Sequence, residues 1–452
     1  MTTQSLALIS AEVKRVLGEY DHYVSFAADD QYVIVYGPNG VGKTKFLEII
    51  HHSSRFNGSA LVNLPFESAI LRYTDGTELN VSRNESRTQR GDDEGRQVRY
   101  SVTFTVHRKG SRPSVWEYFS DEDFDEWLIG NTSWRPFNED LWEDRSDGEL
   151  ASLTELVNRY QQQGRLTTRI PPDIREFREK TPSFLIETQR LRIENYTDRR
   201  AAAAWRAHHS RHAKPSSKIT EQAQKMQALV NAAQTEHSQL TQQLDRTFPN
   251  RVLEHSRDVS MPEDEVRARY DKQNKFRSRL ARVVSVPLVG ELSLPGRPLV
   301  EWEVQLLNLY LIDADKKLAP FGALLRKIEL LEKIINSRLM NKRLRITAKA
   351  GIEVLHAGTN GEIALDSLSS GEQHEIILMF DLLFNVPEGA LVLIDEPEIS
   401  LHVVWQLAFI PDVQKIAELA GFRMIVATHS PQIINDDWER AIRLGPPEVQ
   451  FL

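Results

Sequence analysis

The 452-residue sequence predicts an α/β fold interrupted by a helical middle, and three observations carry that expectation. A glycine-rich run, Gly37-Pro38-Asn39-Gly40-Val41-Gly42-Lys43-Thr44, stands between a short β-branched strand and the start of a helix. Two runs near the other end, Leu391–Asp395 (LVLID) and Met424–Thr428 (MIVAT), have the unbroken hydrophobicity of strands buried on both faces of a parallel sheet. Between these ends, residues 199–342 follow helical rather than strand periodicity.

The elements follow in order. The first ~55 residues read as strand, strand, loop and helix, with Tyr32–Tyr36 (YVIVY) entering the glycine-rich loop and residues 43–51 leaving it as a helix. Residues 68–119 read as antiparallel β. Asp75-Gly76 between AILRYT and TELNVS predicts a hairpin with a type I′ turn. Gln97–His107 alternates, placing Val98, Tyr100, Val102, Phe104 and Val106 on one face.

Residues 117–149 hold twelve acids against two arginines, with Trp127, Trp134 and Trp142 among them. Two readings stand: a solvated insert with its aromatics tucked into the body, or a docking surface for a basic partner. Residues 199–220 invert the charge. Arg199, Arg200, Arg206, Arg211, Lys214 and Lys218 occur with no acid between Asp198 and Glu221. His208, His209 and His212 lie in the same run without a carboxylate or cysteine at ligand spacing, which argues against a metal site. This run is either a solvated helix face or a phosphate contact.

Ile219, Ala223, Met226, Val230, Ala233, His237, Leu240 and Leu244 form a heptad seam, continued weakly by Val266, Tyr270, Leu280 and Val284 after a break at Phe248-Pro249-Asn250. The pattern predicts an antiparallel helical hairpin, an arm of ~40 Å at the rise of an α-helix, packed against the body. A further helix is expected over about 299–339, interrupted near Pro320, with Leu324, Ile328, Leu331 and Ile335 on one stripe. Strands return at LRITA and IEVLH, followed by the loop Thr359-Asn360-Gly361 and a helix from Gly371 to Phe384. The expected domains are 1–198 (with the acidic insert 117–149), the helical insertion 199–342, and 343–452, the two ends forming one α/β domain.

Composition narrows the chemistry. The absence of cysteine excludes a disulfide scaffold, a thiol nucleophile, a cysteine-ligated zinc and an iron–sulfur cluster. Lys+Arg total 56 against 64 Asp+Glu, a net charge of −8, which argues against a globally basic nucleic-acid binder and leaves only a local patch. The N-terminal residues lack the apolar run of a signal peptide, and no stretch approaches the ~18–20 apolar residues that span a bilayer. The expectation is a soluble cytoplasmic protein with no membrane partner.

The run Gly37 to Thr44 fits G-x-x-x-x-G-K-[ST] in strand–loop–helix context. Its glycines let backbone N–H groups turn inward around phosphate oxygens, Lys43 reaches the β/γ-phosphates of ATP, and the Thr44 hydroxyl ligates Mg²⁺. The strand LVLID delivers Asp395 beside the phosphates to hold Mg²⁺ through water, and Glu396 is placed to act as general base on a water. Leu368-Ser369-Ser370-Gly371-Glu372-Gln373 opens a helix. Ser370 and Gln373 have capping-box spacing, and the same N-terminus, with two hydroxyls and a glycine, suits an anion.

With these elements in this order, the sequence resembles the ATP-binding-cassette (ABC) ATPases. The resemblance implies an ABC-type ATPase head, a mixed sheet with an antiparallel β lobe. It makes Ser369, Ser370 and Gly371 part of a signature that grips the γ-phosphate held by a second subunit. It implies a switch histidine at His429, in Ala427-Thr428-His429-Ser430-Pro431. Gln189, in Glu187-Thr188-Gln189-Arg190-Leu191 after the strand FLIE, would be the glutamine that senses Mg²⁺ and γ-phosphate. LSSGEQ, DEPEISLH and the gap of roughly 325 residues between Lys43 and the signature look like the SMC/RecF/OLD branch rather than transporters. Together with ETQRL and ATHSPQ they resemble the standalone ATPases of bacterial anti-phage systems, such as the Septu and PARIS types. OLD nucleases continue into a TOPRIM domain where this chain stops, about 23 residues after His429, so a nuclease is expected to act in trans.

The implied function is an ATP- and Mg²⁺-dependent homodimer or higher oligomer that acts as a switch over a nuclease or toxin effector in antiviral defence. The competing expectation is a RecF/SMC-like ATPase of DNA repair or genome maintenance, with DNA contacted by the basic run. A phosphate-loop kinase has no reason to carry LSSGEQ and DEPE.

Overall fold

A computed structural model of the protein describes residues 5–27, 30–88, 97–119, 128–130, 132–137, 141–152, 155–156, 159–160, 170–187, 217–254, 261–284 and 293–446. The chain forms two compact units. One comprises Met1–Gln189, Val386–Ile399 and Gln406–Leu452; the other comprises Arg190–Asn385 and Ser400–Trp405.

The first unit begins with β1 (Leu8–Val16), β2 (Tyr20–Ser25) and β3 (Tyr32–Tyr36), three strands before the glycine-rich loop where two were expected. Helices α1 (Lys43–Ser54) and α2 (Gly58–Val62) follow, then β4 (Ser68–Tyr73), β5 (Glu78–Thr88), β6 (Gln97–His107) and β7 (Ser114–Phe119). Strands β1, β2 and β4 to β7 make one antiparallel sheet in the order β2-β1-β4-β5-β6-β7. Alternation along β6 buries Val102, Phe104 and Val106 completely.

The β4–β5 turn is not type I′. That turn needs positive φ at both central residues, and only Gly76 has it, at 80°. Asp75 stays in the ordinary region because its carboxylate accepts from the Thr77 amide and hydroxyl, each at 2.8 Å. The result is a three-residue loop closed by Tyr73 N donating to Thr77 O at 3.0 Å.

Short strands β8 (Trp134–Pro136), β9 (Leu141–Asp144) and β10 (Leu150–Ser152) form a separate antiparallel sheet. Trp134 and Trp142 are buried, but in a cluster with Leu128, Ala151, Leu156 and Tyr160 rather than in the main core. The tryptophans of the acidic segment therefore supply a small core of its own, contrary to the expectation that they tuck into the body. Trp127 lies outside the described residues. Helix α3 (Pro172–Lys180) and strand β11 (Ser183–Glu187) complete this stretch.

The second unit holds α4 (Lys218–Glu254), α5 (Glu263–Leu280), α6 (Glu301–Asn336), the small sheet β12 (Lys342–Thr347), β13 (Gly351–His356) and β14 (Glu362–Ile363), and α7 (Ser370–Phe380). Two proline breaks expected from the sequence do not occur. α4 runs through Pro249, and Arg251 holds its last turns by donating to both carboxylate oxygens of Asp313 and to Leu244 O. α6 runs through Pro320, where Phe321 and Leu325 are buried and His237 Nδ1 sits 2.6 Å from Lys317 O, a donor in the turn from which the proline removes one.

The seam of α4 buries Ile219, Ala223, Met226 and Val230. Its helical partner is α6 rather than α5: Lys317 pairs with Asp245, and Phe321 meets the His237 ring. α5 packs on α6 as well, through Arg269–Asp315 and Gln273 Nε2 donating to Leu311 O. The expected hairpin is thus a pair of helices that share a third. The basic residues from Arg199 to Lys214 lie outside the described residues.

The chain returns to the first unit with β15 (Leu391–Asp395), α8 (Val403–Ala420, in this unit from Gln406), β16 (Arg423–Thr428), α9 (Pro431–Ile434) and β17 (Ala441–Arg443). These strands join β3 and β11 in a parallel sheet, order β11-β15-β16-β3-β17. Register sets Glu187 opposite Asp395, Asp395 opposite Ala427, and Thr428 opposite Tyr36, so the carboxyl ends of four strands lie level. Phe46, Leu47, Ile49 and Ile50 of α1 join side chains of both large sheets in one core. Truncating Phe46 to alanine should cost about 3–5 kcal/mol.

Candidate functional site

The site grows from the carboxyl edge of the parallel sheet. β3 ends at Tyr36 and the chain turns through Gly37, Pro38, Asn39, Gly40, Val41 and Gly42 into α1, whose first residues are Lys43 and Thr44. Gly42 has φ 86°, and a Cβ on it would meet Val16 Cγ1 at 2.7 Å, so both its conformation and its neighbours require glycine.

Lys43 is 4% exposed, and its Nζ donates to Gly37 O at 3.0 Å and Pro38 O at 3.2 Å, with His429 Nδ1 at 3.3 Å. Burial lowers its pKa, opposed by the carboxylates of Glu396, Asp395 and Glu398. The Thr44 hydroxyl donates to Asp395 Oδ2 at 2.8 Å, joining residues 351 apart in sequence. Asp395 is 6% exposed, and burial pushes its carboxyl up to about 6 despite the Thr44 hydroxyl. A buried carboxylate against a hydroxyl, both hard oxygens, is a donor set that suits Mg²⁺ completed by substrate phosphates and water.

Glu396 follows with φ 47°, a left-handed conformation that costs a non-glycine residue about 1–3 kcal/mol. Its amide donates to Ala427 O at 2.9 Å, which secures this backbone against the neighbouring strand. The turn aims the side chain at His429, whose Nε2 is 3.3 Å from Glu396 Oε1. The two contacts of His429 settle its tautomer. An ammonium can only donate, so Nδ1 accepts from Lys43 and the ring proton sits on Nε2, facing Glu396. A lysine, a histidine and a carboxylate thus form one connected row beside the glycine-rich loop.

The sequence reading missed Glu398. Its Oε1 accepts from the His429 amide at 2.5 Å and so fixes the turn that carries the imidazole. Gln406 braces the same turn: it accepts from the Ser430 hydroxyl at 2.7 Å and donates to Glu398 O at 3.4 Å. The only sequence signal for Glu398 is a third acid in Asp395-Glu396-Pro397-Glu398; nothing local links it to His429.

Ser369, Ser370 and Gly371 lie in the other unit, at the N-terminus of α7. The capping box is one residue earlier than expected. Ser369, not Ser370, is the cap: its hydroxyl accepts from the Glu372 amide at 3.3 Å, while Glu372 Oε2 accepts from the Ser369 amide at 2.9 Å. Gln373 instead donates to Leu365 O and Leu368 O. Ser370 is exposed on the first turn, with no capping duty. Lys342 donates to both oxygens of Glu372, at 2.9 and 2.8 Å, and Arg338 pairs with the buried Glu375 one turn on. The helix starts at Ser370 and its last turn, Asp381–Asn385, is a π-turn. Gln189 lies outside the described residues.

Fold and site together define an α/β protein of the phosphate-loop nucleotide-binding class. The sequence from 33 to 435 matches the family described as "AAA domain, putative AbiEii toxin, Type IV TA system", and the chain belongs to that family. No curated protein matches it. Among solved structures it is similar to the Smc head domain of Pyrococcus furiosus with an extended coiled coil bound to the C-terminal domain of ScpA, at 13% identity over 97% of this chain and 93% of that one, TM-score 0.33. It is similar also to an SmcHead bound to the C-winged helix domain of ScpA, at 10% identity over 98% and 95%, TM-score 0.34. A third is the SMC head domain of Thermotoga maritima, at 11% identity over 98% and 100%, TM-score 0.32. No helix among the described residues is long and apolar enough to cross a membrane.

Proposed function

We propose that this protein is an ATP hydrolase that closes as a homodimer around ATP and Mg²⁺ and acts as a switch, controlling a nuclease or toxin in trans in bacterial defence. The observation that carries the catalytic part is the row Lys43–His429–Glu396 beside the Thr44–Asp395 pair. Lys43 would bind the β/γ-phosphates; Thr44 and Asp395, with Gln189, would hold Mg²⁺, whose charge would offset that of the phosphates. Glu396 takes the proton of the attacking water. His429, with its proton on Nε2, is placed to donate to Glu396 and, on a shift of its ring, to the γ-phosphate. Ser369, Ser370 and Gly371 of one subunit cover the γ-phosphate bound by the other.

The defence role is supported by the toxin–antitoxin description of the family and by the resemblance of ETQRL, LSSGEQ, DEPEISLH and ATHSPQ to standalone defence ATPases. A second reading, DNA maintenance, is favoured by one observation, the acid-free basic run from Arg199 to Lys218. Gel shifts with ATP at several salt concentrations separate them: DNA binding that weakens steeply with salt supports the second reading. The nucleotide assignment is tested by Lys43→Ala in isothermal titration with ATP–Mg²⁺. Binding should be abolished, and unchanged affinity would overturn the phosphate-loop assignment.

A further inference from the structure

We infer that His22 orients the phosphate loop, a positioning residue that acts from behind the loop on a strand outside every nucleotide motif; the inference rests on the nucleotide reading above. His22 lies on β2 and is 2% exposed. Its Nε2 is 2.7 Å from the carbonyl oxygen of Val41, inside the glycine-rich loop. A carbonyl only accepts, so Nε2 carries a proton and donates. Burial lowers the pKa of this imidazole, which favours a neutral ring with a single donor.

The consequence follows from peptide geometry. Val41 C=O and Gly42 N–H share one planar trans peptide, so they point in opposite directions. Holding the Val41 carbonyl on β2 therefore turns the Gly42 N–H to the face of the loop away from β2. Loop amides aimed outward in this way are what a glycine-rich loop offers to phosphate oxygens. Without the imidazole, this peptide plane loses its side-chain anchor, and glycine at 42 lowers the cost of turning about the dihedral that follows it.

The ring itself cannot turn away. Phe46 of α1 meets it edge-on with centroids 5.5 Å apart, and Tyr20 stacks on it at 6.1 Å with planes 3° apart. Val16 and Leu17 press on Gly42 from the same hairpin, and Leu444 N donates to Tyr36 O at 2.7 Å where β3 enters the loop. The loop is thus braced at both of its ends: Lys43 Nζ holds the carbonyls of Gly37 and Pro38, and His22 holds that of Val41.

Three substitutions in the full chain separate the donor from the ring. His22→Phe keeps a ring against Tyr20 and Phe46 and loses the donor. His22→Gln places an amide nitrogen near the Nε2 position, whereas His22→Asn reaches only the Nδ1 position. Titration with ATP–Mg²⁺ should show about tenfold weaker binding for His22→Phe and His22→Asn, equivalent to ~1.4 kcal/mol. His22→Gln should stay near the wild-type affinity. Equal affinities in the glutamine and asparagine variants, or wild-type affinity in His22→Phe, overturn the assignment. Lys43→Ala in the same titration separates two failures. Retained binding there overturns the nucleotide site itself, whereas lost binding there with wild-type affinity in His22→Phe overturns the role of His22 alone.

Discussion

Replacing Asp395 by asparagine should make the nucleotide-free protein more stable, and should do so only at neutral and alkaline pH. Asp395 ends a fully buried strand, and burial raises its pKa from an ordinary 3.8 to about 6. The folded state therefore binds the Asp395 proton more tightly than the unfolded chain does. Ionising this carboxyl costs the folded state stability, a cost fully present above about pH 7 and relieved as pH falls through 6 toward 3.8. The difference between those values corresponds to roughly 3 kcal/mol at pH 8, an upper bound because a buried amide keeps part of the desolvation cost. At about 2 °C per kcal/mol for a unit of this size, the melting temperature should rise by up to ~6 °C. Scanning calorimetry without nucleotide at pH 8 and pH 4 is the assay. A gain equal at both pH values, or a loss at pH 8, would refute the reasoning. The same variant should lose Mg²⁺-dependent ATP binding, an outcome that would tie the stability forgone to the proposed cation site.

Glu396→Gln should keep ATP binding, slow hydrolysis more than tenfold and accumulate a closed dimer seen by light scattering; a smaller loss removes Glu396 as the base. Ser370→Arg should leave the melting temperature nearly unchanged, since Ser369 is the cap, yet silence hydrolysis in the homodimer. Mixing it with Lys43→Ala subunits should restore part of the activity, because one composite site then carries both lesions and the other none; wild-type hydrolysis by Ser370→Arg alone rejects the signature reading. Arg338→Ala should destabilise by about 3–5 kcal/mol in chemical denaturation, because it strips the cation from Glu375, itself 2% exposed. A change under 1 kcal/mol would show that other groups hold that carboxylate.

The parts of the protein legible in the sequence are those whose physics is local. A phosphate loop needs its glycines, lysine and threonine in consecutive positions because one turn of backbone makes the cradle, so Gly37 to Thr44 can be read directly. LVLID and MIVAT are recognisable because a strand covered on both faces leaves no position for a polar side chain. Local rules failed where packing outweighed them. The prolines at 249 and 320 read as helix breaks, but Arg251–Asp313 and the buried side chains of α6 hold both helices through them. The choice between Ser370–Gln373 and Ser369–Glu372 as capping box turned on Lys342, a residue 30 positions from Glu372 that fixes the glutamate over Ser369.

Tertiary structure alone decided which distant residues meet. The parallel sheet sets β16 between β15 and β3, and this order brings Asp395 to Thr44 and His429 to Lys43, across 351 and 386 residues. The same neighbourhood assigns the proton of His429, since only the ammonium beside Nδ1 shows which nitrogen must accept. Nothing local in the sequence links Glu398 to the His429 amide or His22 to the Val41 carbonyl. Sequence periodicity records which face of a segment is buried. It holds no information on what that face is buried against, because that depends on the path of the whole chain.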